Sequence, residues 1–275
     1  ALHELFHGTQ WAYGISQPTW VIEGQAAMVE DTITAALDGD PGTFLYSQGN
    51  VYLSDPNQFA LTRSSYSTAW FWKYFTERFG TLPNPGQGMD AIATFWDESE
   101  AASASGIAGV NAALDTLAPG TTFTDVYQDF IIANYARKLT GPSVPATYYY
   151  TDEDEAQPGP LNPVALQVSG PLANGAQVGP LTSDVNAWGA RYYEISPAAD
   201  LPIISINVRQ DLGTAPPIFY AILATKDGDL VLEERYTSRH LNRALPNADY
   251  DKVVVIVAGL ERYANYRLTI NGTQP

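Results

Sequence analysis

The chain has no cysteine, so neither disulfides nor thiolate metal ligands are open to it. Histidine is scarce, with three among 275 residues. Basic residues are few as well: 14 Lys and Arg stand against 30 Asp and Glu, for a formal charge of −16. A surface of that sign repels nucleic acid and anionic membranes and favours solubility. There is no run of about 18 apolar residues, so no segment reads as a membrane span. What the chain does carry is apolar material. It is 45% hydrophobic and 12% aromatic, which excludes a disordered chain and suffices for two domains with separate cores. The lack of cysteine fits a secreted or cell-surface protein of a bacterium or archaeon, and that is the expected location.

The pattern along the chain predicts an α+β protein, a mainly helical lobe followed by an antiparallel β-sandwich. The expected division is 1–140 for the lobe, 141–163 for a linker and 164–275 for the sandwich. Helices are predicted over 1–13, from Trp20 to about Leu37 with Thr19 as its cap, and over Arg63–Phe79, closed by Gly80. Three more are predicted over Gly88–Ala101, Gly106–Leu117 and Thr124–Arg137. Residues 43–61 read as a long loop with a short strand near Phe44–Tyr46 or Val51–Leu53. Residues 138–163 hold five prolines and the acidic run Asp152–Glu155, which reads as a solvated linker with calcium binding as the competing role. Strands follow at Arg191–Ile195, Ile203–Val208, Ile218–Thr225, Leu230–Tyr236, Lys252–Ala258 and Asn265–Ile270. Asp227-Gly228 lies between two of them as a hairpin signal.

The chemistry sits at the start. His3-Glu4-Leu5-Phe6-His7 is an H-E-x-x-H motif. On a helix, residues four apart share a face, so the two imidazoles project side by side and can grip one metal ion. Glu23 follows within Trp20-Val21-Ile22-Glu23-Gly24, on a helix that must return alongside the first. A carboxylate among Trp, Val, Ile and Ala needs a partner, and a metal is a good one. Two imidazoles, a third protein ligand and a fourth position left to water form the pattern of a catalytic zinc site. Glu4, one step round from His3, is placed to act as general base towards that water. The competing reading is an ordinary helix with two surface histidines.

His3-Glu4-x-x-His7 together with Trp20-x-x-Glu23-Gly24-x-Ala26 resembles the gluzincin metallopeptidases, the thermolysin-like and aminopeptidase-N-like group. The match covers about the first 80 residues. It implies zinc ligands at His3, His7 and Glu23, Glu4 as general base and a peptide or protein substrate. Fifteen residues separate His7 from Glu23, fewer than those enzymes generally have. In that group the sheet that holds the substrate precedes the motif helix, which here begins at or before residue 1. An upstream fragment of the same precursor is therefore expected, removed or carried as a separate chain. Ser65-Tyr66-Ser67-Thr68-Ala69 resembles the tyrosine-bearing helix of aminopeptidase-N-like enzymes. Tyr66 is accordingly the candidate to share the oxyanion's charge, with Tyr46 and Tyr52 as rivals and a core aromatic as the plain alternative.

Four residues are candidates to orient or line the site. Glu30 and Asp31 can hold a ligand imidazole, and Gln10 and Trp11 follow the motif on its helix. The C-terminal strands resemble the β-sandwich accessory modules that follow bacterial secreted peptidases. Trp188 or exposed tyrosines there are candidates for stacking on carbohydrate. Asn271-Gly272-Thr273 fits a glycosylation sequon, and His240 reads as a surface histidine. The alternative function is a non-catalytic surface or carbohydrate-binding protein whose helical lobe is a relic.

Overall fold

The computed structural model describes residues 2–38, 43–81, 88–137, 139, 144–148, 150, 161–211, 216–247 and 249–273. Helices fill the first half and strands the second, so the fold is mixed α and β. The chain divides into two compact units. The first takes Ala1–Ser54, Leu61–Ala133 and Tyr149–Pro163; the second takes Asp55–Ala60, Asn134–Tyr148 and Val164–Pro275. The division is thus not one cut at 141–163, since two short segments of the helical half cluster with the strands. The acidic run Asp152–Glu155 lies outside the described residues.

In the first unit α1 (Leu2–Ala12) and α2 (Thr19–Asp38) form a helical hairpin. Gly14, at φ +66°, takes a left-handed conformation in the turn that side-chain-bearing residues rarely adopt. Thr19 is the first helical residue and not its cap, because the Pro18 carbonyl already accepts from the amides of Val21 and Ile22. The buried Gln17 side chain closes the connection, accepting from Gly106 N at 2.8 Å and donating to Ala104 O at 3.2 Å.

The expected loop over 43–61 is instead largely helix, α3 (Thr43–Ser54). Leu45, Tyr46, Tyr52 and Leu53 are all buried, and their spacing is a helical stripe. Gly49 lies on that stripe, where a Cβ would come within 2.9 Å of Leu161 and 3.2 Å of Trp70. Its glycine is a site of close approach and not a loop signal. The aromatic helix α4 (Ala69–Phe79) starts later than expected, after 3-10 turns at Leu61–Arg63 and Tyr66–Thr68. Its residues Ala69–Thr76 are buried on every side, the mark of a central helix. Trp20 of α2 stacks on Trp72 at 5.6 Å, and the Trp72 indole donates to Trp20 O at 3.1 Å. Helices α5 (Met89–Ala102), α6 (Ile107–Leu117) and α7 (Phe123–Ala136) complete the helical half.

The second unit holds two sheets. One has the order β1 (Leu166–Leu172), β3 (Ala190–Pro197), β8 (Lys252–Ala258), β5 (Ile218–Lys226), β6 (Asp229–Ser238). The other runs β2 (Gln177–Val185), β9 (Ala264–Thr273), β4 (Ile203–Gln210), β7 (His240–Pro246). Side chains from both sheets, among them Tyr193, Ile222, Val255, Ile206 and Leu268, build one apolar core in a sandwich-like arrangement. β5 and β8 are buried on both faces, which explains their unbroken apolar runs. The pairing is not wholly antiparallel: β1 runs parallel to β3. Strands β1, β2 and β7 escape the sequence pattern. The first two are interrupted by glycine and proline, and β7 buries only Leu241 and Leu245. Asp227 and Gly228, at φ +54° and +84°, make the expected β5–β6 turn.

Asn57 shows why 55–60 belongs with the strands. Its Oδ1 accepts from Asn186 N at 2.6 Å, and its carbonyl accepts from the Asn186 amide at 2.8 Å. The side chain is 3% exposed, so water cannot replace it. Asn57→Ala removes the side-chain acceptor of the Asn186 backbone N–H and is expected to cost about 1–3 kcal/mol, read as a lower urea midpoint. An unchanged midpoint removes this anchor from the account. For the 134–148 segment, Tyr135 OH donates to Glu194 at 2.8 Å and Tyr148 OH to Glu233 at 2.6 Å.

Trp188 is 5% exposed, so it offers no face to a sugar. Asn271 is paired on both sides within its sheet, with Gln177 and Ser205, a poor setting for a glycan. His240 is exposed.

Candidate metal centre

The α1–α2 hairpin brings the three candidate ligands together. His3 Nε2 lies 3.1 Å from His7 Nε2 and 3.1 Å from Glu23 Oε2. The third edge, His7 Nε2 to Glu23 Oε2, is 3.6 Å. The side chains of His3 and His7 are 11% and 8% exposed, and Glu23 is 26% exposed. Among the described residues this is the group of histidines and carboxylates able to hold a metal ion.

The triangle tests the fit of such an ion. A tetrahedral zinc centre with bonds of about 2.0–2.2 Å sets its ligands roughly 3.3–3.6 Å apart. The observed edges match or fall slightly inside that range. Two imidazole nitrogens and a carboxylate oxygen meeting this closely repel unless a cation, proton or metal, lies among them. The imidazoles favour a transition metal over calcium or magnesium, which prefer oxygen. The residues therefore fit zinc.

The surroundings are assigned in part. His7 Nδ1 lies 2.7 Å from Gln10 Oε1, and Gln10 Nε2 donates to Ile22 O at 3.1 Å. Glu30 reaches His3 Nδ1 only at 3.9 Å, an ion-pair distance and not a hydrogen bond. The Asp31 side chain lies outside the described residues. Trp11 is 72% exposed and stacks on His7 with ring centroids 6.1 Å apart. Glu4 is exposed beside His3 on α1.

Tyr66 lies near His3, with ring centroids 5.6 Å apart, and is 41% exposed. The negative charge of Glu23 holds its hydroxyl above the ordinary tyrosine range, helped by desolvation, by a hydrogen bond to Glu23 and by the charge of Glu4. Tyr46 and Tyr52, the rival candidates, are buried. Phe44, hidden by the loop expectation, packs edge-on to Tyr66 at 6.1 Å. Its signal was the helical spacing of the apolar residues after it.

No protein-family model and no curated protein matches the chain. Among solved structures, the pre-peptidase C-terminal domain of collagenase from Bacillus anthracis aligns at 11% identity over 38% of this chain and 94% of its own, with a TM-score of 0.28. The periplasmic lysozyme inhibitor PliG of Aeromonas hydrophila aligns at 14% identity over 39% of this chain and 98% of its own, with a TM-score of 0.25. Likenesses at these scores carry no argument for the fold or the activity of this chain.

Proposed function

We propose that the chain is a zinc-dependent hydrolase of peptide bonds, with His3, His7 and Glu23 as metal ligands and Glu4 as general base. The observation that carries it is the convergence of His3 Nε2, His7 Nε2 and Glu23 Oε2 within 3.6 Å of one another, with the exposed Glu4 next to His3 in the chain. A zinc ion held by His3, His7 and Glu23 would supply Lewis-acid chemistry, polarising the scissile carbonyl and making water a stronger acid.

The chain's own residues do the rest. Glu4 takes a proton from the attacking water and returns it to the departing amine. Tyr66, exposed and beside His3, donates its hydroxyl hydrogen to the oxygen that gains charge. The sandwich-like unit is, on this reading, an accessory module. The absence of any helix long and apolar enough to cross a membrane, among the described residues, is consistent with a substrate met in water.

The test is elemental analysis of the purified chain before and after chelation, with hydrolysis of a general protein substrate followed alongside. About one zinc per chain is expected, with activity lost on chelation and restored by zinc. Zinc without hydrolysis retains the metal centre and removes the peptidase. Failure to take up any divalent metal leaves a non-catalytic surface or binding protein as the better description.

A further inference from the structure

We infer that Gln10 is the positioning residue of this centre: its amide fixes His7 in the Nδ1–H tautomer and ties that ligand to the backbone beside Glu23. This rests on the metal-binding part of the function proposed above, and is independent of what the site hydrolyses.

The orientation of the Gln10 amide follows from its partners. A backbone carbonyl only accepts, so the group facing Ile22 O at 3.1 Å must be the Nε2 donor. Oε1 is then the atom 2.7 Å from His7 Nδ1. An amide oxygen only accepts, so Nδ1 carries the hydrogen. A neutral imidazole has one such hydrogen, which leaves His7 Nε2 with a lone pair turned towards His3 Nε2 and Glu23 Oε2. Gln10 is 2% exposed, so water does not compete for either bond. Turning the amide over sets its oxygen against the Ile22 carbonyl, acceptor against acceptor, and loses that bond.

The residue type is specific to this double task. A carboxylate accepts from Nδ1 but cannot donate to a carbonyl. A methionine fills the space and does neither. The second bond ends at Ile22, the neighbour of Glu23 in α2. One side chain thus sets the ring angle of a ligand on α1 and its separation from the ligand on α2. Neutral Gln10 does this without bringing a further negative charge to a site that already has Glu23, Glu4 and Glu30 around it.

The experiment compares the wild-type chain with Gln10→Met and Gln10→Glu. Zinc affinity is measured by competition with a chromophoric chelator. The His7 tautomer is read from long-range ¹H–¹⁵N ring correlations of the metal-free protein, at a pH where imidazole is neutral. In the wild type His7 is expected wholly as the Nδ1–H form. Gln10→Met is expected to lose about 10–100-fold in zinc affinity and to show mixed His7 tautomers. Gln10→Glu, which keeps the acceptor, is expected to keep the Nδ1–H form, and it serves as the check should the Met variant fail to fold. An Nε2–H form in the wild type or in Gln10→Glu overturns the inference, as does undiminished zinc affinity in Gln10→Met. A wild-type chain that takes up no metal, yet shows the Nδ1–H form lost in Gln10→Met, refutes the metal centre, and with it Gln10 as its positioning residue, while leaving the tautomer and the tie to Ile22 standing.

Discussion

On the proposed function, a Glu4→Gln protein is expected to bind zinc as the wild type does and to lose about 10²- to 10⁴-fold in peptide hydrolysis, the range for removing a general base. The two halves of that result come from different parts of the geometry. Metal retention follows because Glu4 is not one of the converging atoms; those are His3 Nε2, His7 Nε2 and Glu23 Oε2. Glu4 is exposed on α1, so its replacement by an isosteric amide leaves no buried charge or orphaned partner behind. Its stability effect should fall within about ±0.5 kcal/mol, as for ordinary surface substitutions. The loss of rate follows because an amide has no basic lone pair to take the water's proton.

Loss by changing Glu4 is therefore distinguishable from loss by changing a ligand. His7→Ala is a useful contrast, since it removes a buried proposed ligand and releases Gln10 from its partner. Zinc content is the discriminating readout: near one per chain in Glu4→Gln, well below one in His7→Ala. Hydrolysis that persists in Glu4→Gln with zinc bound rules out the assigned base.

The triad was legible from residue spacing because its geometry is local. His3 and His7 lie one helical turn apart, and the turn between α1 and α2 is too short to carry Glu23 elsewhere. Gln10 was legible as a neighbour of the motif but not as a double tie, because its second bond ends on a backbone carbonyl, which no side-chain pattern reveals. Phe44 was hidden with the whole of α3. Residues 43–61 read as a loop, while in the fold Gly49 serves a close approach to Trp70. Aromatic-rich Arg63–Phe79 announced a helix, but its first six residues fold as tighter turns around Tyr66, where neighbours beyond the local sequence decide the backbone. The strands with unbroken apolar runs, β5 and β8, were plain from burial on both faces. The half-exposed β1 and β2 alternate weakly around glycine and proline, and their pairing is set by β3 and β9 rather than by their own propensity.

Gly24→Ala is expected to destabilise the helical unit by about 1–3 kcal/mol or more, although alanine is the better helix former. A Cβ at position 24 would stand 2.1 Å from Thr68 Oγ1 and 2.8 Å from Trp72 Cδ1. Neither neighbour is free to retreat. The Thr68 hydroxyl lies 2.8 Å from Trp20 O and 2.5 Å from Ser65 O, and Thr68 is fully buried. Trp72 is held by its own bond to Trp20 O and by stacking on Trp20. The added methyl must push α2 away from the Tyr66–Thr68 turn and α4. Glu23 precedes Gly24 directly, so the same displacement moves the carboxylate against His3 and His7. Weaker zinc binding should therefore accompany the lower melting temperature. Gly8→Ala is the internal control. A Cβ there meets nothing within 4 Å, and Gly8 lies inside α1, so alanine should stabilise by about 0.5–1 kcal/mol. Opposite signs at two helical glycines, read by urea unfolding of the two variants side by side, separate steric contact from helix propensity. Equal stabilisation in both refutes the close approach of α2 to Thr68 and Trp72.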